Sequence, residues 1–198
     1  MHEFVLDVVQ DIPRPVEEVF PFFADAGNLQ QITPPFLHFQ ILTPLPIDMH
    51  EGTLIDYRIR LHGIPIRWRT RIARWVPITQ TPGTQPAGTP TPSFIDEQIK
   101  GPYRKWVHTH TFEPIATGTR ARDQVIYAVP GGPGVERIIE RLFIRPQLDR
   151  LTPAMLDALA KALPALHAPA TRARLNNYAD NAARRAAMAP LLEVAPQN

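Results

Sequence analysis

One long amphipathic helix, late in the chain, has a whole series of strands to cover. "VERIIERLFIRPQLDRL", residues 135–151, repeats Val135, Ile138, Ile139, Leu142 and Phe143 at helical spacing. Before it, apolar and polar residues alternate over 37–43, 53–61, 64–75, 93–100, 103–113 and 119–129, with a first such strand over 3–10. "LHGIP" and "KGPYR" place Gly and Pro where tight turns need them, so consecutive strands are joined closely and run antiparallel. Between the first strand and the rest, "PRPVEEVF" opens a short helix with Pro15 in its first turn and Glu17 and Glu18 at its positive end. Pro21 predicts a kink or break, and "AGNLQQITPP" a second short helix. The order predicts an α+β fold: a curved antiparallel sheet of about seven strands wrapped around the late helix, leaving a space between them.

The remaining composition narrows the class. Formal net charge is only +2 over 198 residues, so nucleic acid is not an expected partner. Cysteine is absent, which excludes disulfides, thiolate nucleophiles and cysteine-based zinc sites. The start, "MHEFVLDVVQD", carries acidic residues where a secretion signal has basic ones, and no apolar run reaches the length of a membrane span. The expectation is a cytoplasmic protein without a transmembrane segment.

Two segments depart from the plan. Residues 77–92, "PITQTPGTQPAGTPTP", offer little to bury and predict a mobile loop. Residues 152–198 are Ala-rich; Thr152 and Pro153 read as the cap and first turn of a helix, with a second helix over 171–188. The division is therefore a ligand-binding domain over 1–151 and a helical extension over 152–198, the latter a candidate surface for homo-oligomerisation.

The stretch "KWVHTHTF" carries the chemistry. Alternation puts Trp106, His108, His110 and Phe112 on one face. The same phase in neighbouring strands gives Ile55, Tyr57, Ile59 and Leu61; Ile64, Ile66, Trp68 and Ile72; and Asp123, Val125, Tyr127 and Val129. For 93–100 the phase stays open between Asp96 and Glu97. A few polar groups in an apolar wall orient a small-molecule ligand. They also suit acid–base work, for which His108, His110, Asp123 and Tyr127 are the catalytic candidates. The plainer alternative is that the histidines only satisfy a buried network. No cofactor is expected, and no metal: two histidines two apart can share one, but no third ligand stands at close spacing. The opposite face carries Arg58, Arg60, Arg67, Arg69 and Arg71, either a solvated surface or a docking patch for an acidic partner, without aromatic residues for base stacking.

"PRPVEEVFPFFADAGNLQQITPP", "FIDEQIKGPYRKWVHTHTF" and "DQVIYAVPGG" resemble the SRPBCC superfamily, the START-like helix-grip group, and within it the bacterial ligand-binding and polyketide cyclase/dehydrase-like proteins. The resemblance covers about residues 3–150. It implies a seven-stranded sheet gripping a C-terminal helix around a hydrophobic cavity. In that arrangement the ligand is expected to meet Tyr57, Ile59, Trp68, Trp106, His108, His110, Phe112, Asp123, Tyr127, Ile139, Leu142 and Phe143. The leading reading is a non-enzymatic binder of a hydrophobic small molecule or lipid; the alternative is a cyclase/aromatase-type enzyme, and the second alternative an interaction protein docking through the arginines.

Overall fold

The computed structural model describes residues 2–61, 63–78, 90–132, 134–162 and 174–175. Most of the 77–92 loop and nearly all of the segment after 162 lie outside these residues. The strands are β1 (Phe4–Ile12), β2 (Gln40–Ile41), β3 (Leu54–Leu61), β4 (Ile64–Val76), β5 (Ser93–Lys100), β6 (Lys105–Ile115), β7 (Gly118–Ala128) and β8 (Arg174–Leu175). They form one sheet in the order β2-β3-β4-β5-β6-β7-β1-β8, with every pairing antiparallel. From β3 to β7 each strand pairs with the next, because only short turns join most of them. β1 closes against β7, the last long strand. Register shifts between Arg69 and Thr70 and between Ile72 and Arg74 interrupt the β4–β5 ladder and help the sheet curve. At 174–175 the extension contributes a strand pairing with Val8 and Val9, where the sequence predicts a helix.

α1 (Val16–Ala24) and α2 (Ala26–Ile32) fill one end of the concave face. α1 runs through Pro21 without the expected break. Asp25 ends it and caps α2, its carboxylate accepting a hydrogen bond from the Gly27 N–H at 2.8 Å. Val16, Val19 and Phe20 of α1 pack on Phe94, Phe112 and Ala121 of the sheet.

The late helix is where sequence and structure part. It comprises α3 (Val135–Ile139), one π-helical turn (Glu140–Ile144) and α4 (Arg145–Ala162). The apolar stripe does not face the sheet: Val135, Ile138, Leu142 and Phe143 are each more than half exposed. Glu136 and Glu140 are buried instead. The Glu136 carboxylate accepts from the His2 backbone N–H at 3.1 Å; that of Glu140 accepts from the Tyr127 hydroxyl at 3.2 Å and from Arg145 Nε at 3.1 Å. Ile139 packs beside Phe4 and Tyr127 in a second core cluster. The π turn holds more residues per turn than an α-helix, so side chains beyond it come out at a different angle. It also precedes Pro146, which has no N–H to donate to the preceding turn. α4 therefore presents Leu148, Leu151 and Met155 to the sheet. It continues through Thr152 and Pro153, so the expected boundary at 151/152 falls inside a helix.

The two sides of this helix respond differently to charge. Leu148→Asp leaves a carboxylate in the core and is expected to cost about 4 kcal/mol or more. Leu142→Asp, on the exposed side, is expected to stay within about 0.5 kcal/mol of the parent. Chemical denaturation of both variants measures the difference. Equal destabilisation would place Leu142 against the sheet after all.

Candidate functional site

Between the concave sheet, α1, α2 and α4 lies a cavity of about 300 Å³. Its sheet wall holds Tyr57 and Ile59 (β3), Trp68 (β4), Phe94 and Asp96 (β5), Trp106, His108 and His110 (β6), and Asp123 and Val125 (β7). Leu29 and Ile32 of α2 and Leu148, Leu151 and Met155 of α4 face it. Alternation thus brings Tyr57, Ile59, Trp68, Trp106, His108, His110 and Asp123 together as the sequence predicts.

Five expected members are elsewhere. Phe112 is 1% exposed and sits in the core against Phe20 and Phe23, because α1 covers that end of β6. Tyr127 is fully buried, with its hydroxyl on Glu140. Leu142 and Phe143 point away from the sheet, and Ile139 packs in the neighbouring cluster, for the helical phase given above. Asp96 takes the place the sequence leaves open between two residues. Glu97 points outward and pairs with Arg71. Tyr103, in the β5–β6 turn, also lines the cavity and escapes the sequence reading, since turn residues have no alternation to follow. It completes an aromatic group with ring centroids 4.7 Å from Trp106 and 5.5 Å from Trp68.

The polar end of the cavity is a four-residue cluster. β6 lies between β5 and β7, and the register sets Asp96 directly opposite His108 and Asp123 directly opposite His110. The two imidazoles lie side by side, ring centroids 3.8 Å apart. Asp96 Oδ2 is 3.2 Å from His110 Nε2 and 3.6 Å from His108 Nδ1. Asp123 Oδ1 is 2.6 Å from His110 Nδ1 and 3.5 Å from His108 Nε2. Each carboxylate thus touches both rings, one from either side. On the Asp123 side the fit is by charge more than by direction: neither His108 Nε2 nor His110 Nδ1 makes an aligned hydrogen bond. Phe94 stacks on His110 at 4.2 Å.

These contacts set the protonation of the pair. Burial alone would lower the His110 pKa, but the attraction and close contact of Asp123 and the hydrogen bond to Asp96 outweigh it and raise the value to about 9. Burial would likewise raise the Asp123 pKa; His110 first, then His108, hold it well below the usual carboxylate range instead. Burial raises the hydroxyls of Tyr57 and Tyr103, so both stay neutral donors.

On the opposite face the arginines are partly spent. Asp56 accepts a two-pronged hydrogen bond from Arg69 at 2.8 Å on each side, Arg71 pairs with Glu97, and Arg58 donates to Gln40 at 2.6 Å.

A His110 pKa raised above the ordinary imidazole value stabilises the fold fully below about pH 6.5; that contribution disappears as pH rises through about 9. The Asp123 side of the pair is the same energy and is counted once. In buffer with chelator, stability is expected to fall by on the order of 2–3 kcal/mol between pH 6.5 and 9.5. His110→Phe should flatten that slope. A parent protein equally stable across this window would remove the charged His110 from the cluster.

Comparison with known proteins puts the cavity in context. Residues 12–160 match the sequence model of a family described as polyketide cyclase / dehydrase and lipid transport. Solved structures share the fold. A Thermus thermophilus protein aligns at TM-score 0.54 and 16% identity, over 84% of this chain and 100% of its own. Norcoclaurine synthase from Thalictrum flavum, solved with dopamine and hydroxybenzaldehyde, aligns at 0.53 and 14%, over 82% and 87%. The ZhuI aromatase/cyclase from Streptomyces sp. R1128 aligns at 0.52 and 13%, over 81% and 96%. No curated protein matches the chain in sequence.

Proposed function

Because the chain belongs to the polyketide cyclase / dehydrase and lipid transport family, we propose that it holds an apolar, oxygen-bearing small molecule in this cavity and moves protons on it, as a cyclase or dehydratase does. The observation that carries the reading is the placement of imidazole–carboxylate pairs on the wall of an otherwise apolar cavity. A carrier needs only the apolar wall. Two histidines, each within reach of two carboxylates and beside open space, form an acid–base device.

Each part of the cavity has a role in this reading. Trp68, Trp106, Tyr103 and Ile59 take the apolar body of the ligand. Trp68 Nε1 is buried without a hydrogen-bond partner, and a ligand oxygen within reach satisfies it. The positive charge of His110, whose ring nitrogens both face carboxylates, polarises a carbonyl oxygen through space, which acidifies the neighbouring carbon. His108, between the same carboxylates, takes the proton from that carbon and returns it to a departing hydroxyl. Asp96 and Asp123 hold the rings in place and stabilise the charge that forms on them. The sheet's outer arginines have no part in this chemistry; Arg60 and Arg67, outside the pairs described above, remain the proposed contact for an acidic partner.

A naphthyl β-hydroxyketone tests both halves. Its binding is read by quenching of tryptophan fluorescence and its dehydration by absorbance. The parent is expected to bind and turn it over. His108→Phe keeps the ring and removes the proton acceptor. Turnover is expected to fall about 10²-fold or more, with affinity changed only a few-fold. Binding without turnover by the parent would reduce the protein to a carrier. Failure of the probe to compete with a general apolar dye would remove the cavity from consideration.

A further inference from the structure

We infer that Asp96, His108 and His110 form a binding site for a divalent transition-metal ion of the zinc type, with Asp123 as the outer partner that orients both histidines. The sequence shows two possible ligands on one strand; the fold supplies the third from β5. Asp96 Oδ2, His108 Nδ1 and His110 Nε2 face one another, with the oxygen 3.6 Å and 3.2 Å from the two nitrogens. One ligand atom from each of the three residues lies within 4.8 Å of the others. A tetrahedral zinc ion with bonds of about 2.0–2.1 Å holds its ligand atoms about 3.3 Å apart. The side chains thus stand at nearly the required spacing before any ion arrives.

The chemistry of the far side supports the same assignment. Metal-bound histidines ordinarily donate their other ring N–H to an acceptor such as a carboxylate, a backbone carbonyl or water. Here the other nitrogens, His108 Nε2 and His110 Nδ1, both face Asp123 Oδ1, at 3.5 Å and 2.6 Å. Both are buried and lack an aligned hydrogen bond. A cation on the Asp96 side fixes both tautomers with N–H toward Asp123, and a small rotation of the rings aligns them. With the protons on that side, the Asp96 side presents two nitrogen lone pairs and a carboxylate to one another. They repel unless a positive charge stands between them, either a proton or a metal ion. Two imidazoles and one carboxylate suit zinc and its neighbours; magnesium and calcium prefer all-oxygen sites. All three ligands line the cavity, so a remaining coordination position faces the ligand space. A carbonyl oxygen bound there is polarised by the metal in place of the charged imidazole.

The site is tested on the full chain without any organic ligand, so the outcome does not depend on what the cavity holds. Protein dialysed against chelator is titrated with Co²⁺ and followed by its visible absorption, then with Zn²⁺ by competition. The parent is expected to bind one ion per chain with the intense bands of a four-coordinate site. Asp96→Asn and His108→Ala should each weaken binding at least tenfold, and Asp123→Asn about 10- to 100-fold with stoichiometry kept. His50→Ala, at an exposed histidine away from the cavity, should leave it unchanged. If Asp96→Asn fails to fold, the half-buried His108→Ala carries the test. Absence of one-to-one binding by the parent overturns the inference, as does equal binding by the parent, Asp96→Asn and His108→Ala.

Discussion

Placing charge inside an apolar cavity is the most demanding thing this structure does. An isolated buried carboxylate or imidazolium costs several kcal/mol, so neither Asp96 nor Asp123 could stand on this wall alone. The cost is met by arranging the four groups across three neighbouring strands, so that each opposite charge is a direct cross-strand neighbour. That arrangement depends on register. A slip of one residue between β5, β6 and β7 would turn both aspartates or both histidines to the outer face. The long ladders of β6 with β7 and of β7 with β1 hold that register. The cluster and the sheet thus specify one another.

The covering helix follows a different logic. A helix that drove its whole apolar stripe into the sheet would fill the concave face with side chains. Instead α3 buries Glu136 against the His2 backbone and the π turn buries Glu140 over Tyr127, changing phase before α4 begins. From α4, Gln147, Leu148, Leu151, Thr152 and Met155 then reach the ligand space. The cavity exists because the cover is incomplete where the histidines stand. The same arrangement leaves Val135, Ile138, Leu142 and Phe143 on the outer side of the helix.

How much of this could be read from the sequence divides along physical lines. Strand alternation has a period of two and few exceptions, so Trp106, His108 and His110 declare a common face, and Tyr57, Trp68 and Asp123 join it. Helical phase is more fragile. A single π turn shifts it, and no residue in "VERIIERLFIRPQ" announces one before Pro146. Reading Ile138, Leu142 and Phe143 as inward rests on the rule that apolar residues go in and charged ones out. Glu136 and Glu140 break that rule because His2, Tyr127 and Arg145, each distant in sequence or hidden in phase, stand ready to satisfy them. Asp96 is undecidable from sequence for another reason. Phe94, Asp96 and Gln98 alternate with Ile95, Glu97 and Ile99, and both phases mix apolar with polar residues. Only the pairing of Glu97 with Arg71 and of Asp96 with two histidines separates them, and both partners lie on other strands.

The two faces of the sheet also divide the charge. On the outside, arginines are matched locally, Arg69 by Asp56 and Arg120 by Asp11, in exposed pairs of the kind that contribute little to stability. Inside, Asp96 and Asp123 flank two imidazoles, and the Asp123–His110 pair holds His110 in its charged form and Asp123 ionised. A charge in a low-dielectric cavity acts over a longer range than the same charge at the surface. The cavity's apolar body and its charged end therefore depend on one another. The paired carboxylates are what hold an imidazolium on an otherwise apolar wall, and a cross-strand register is what holds the carboxylates there.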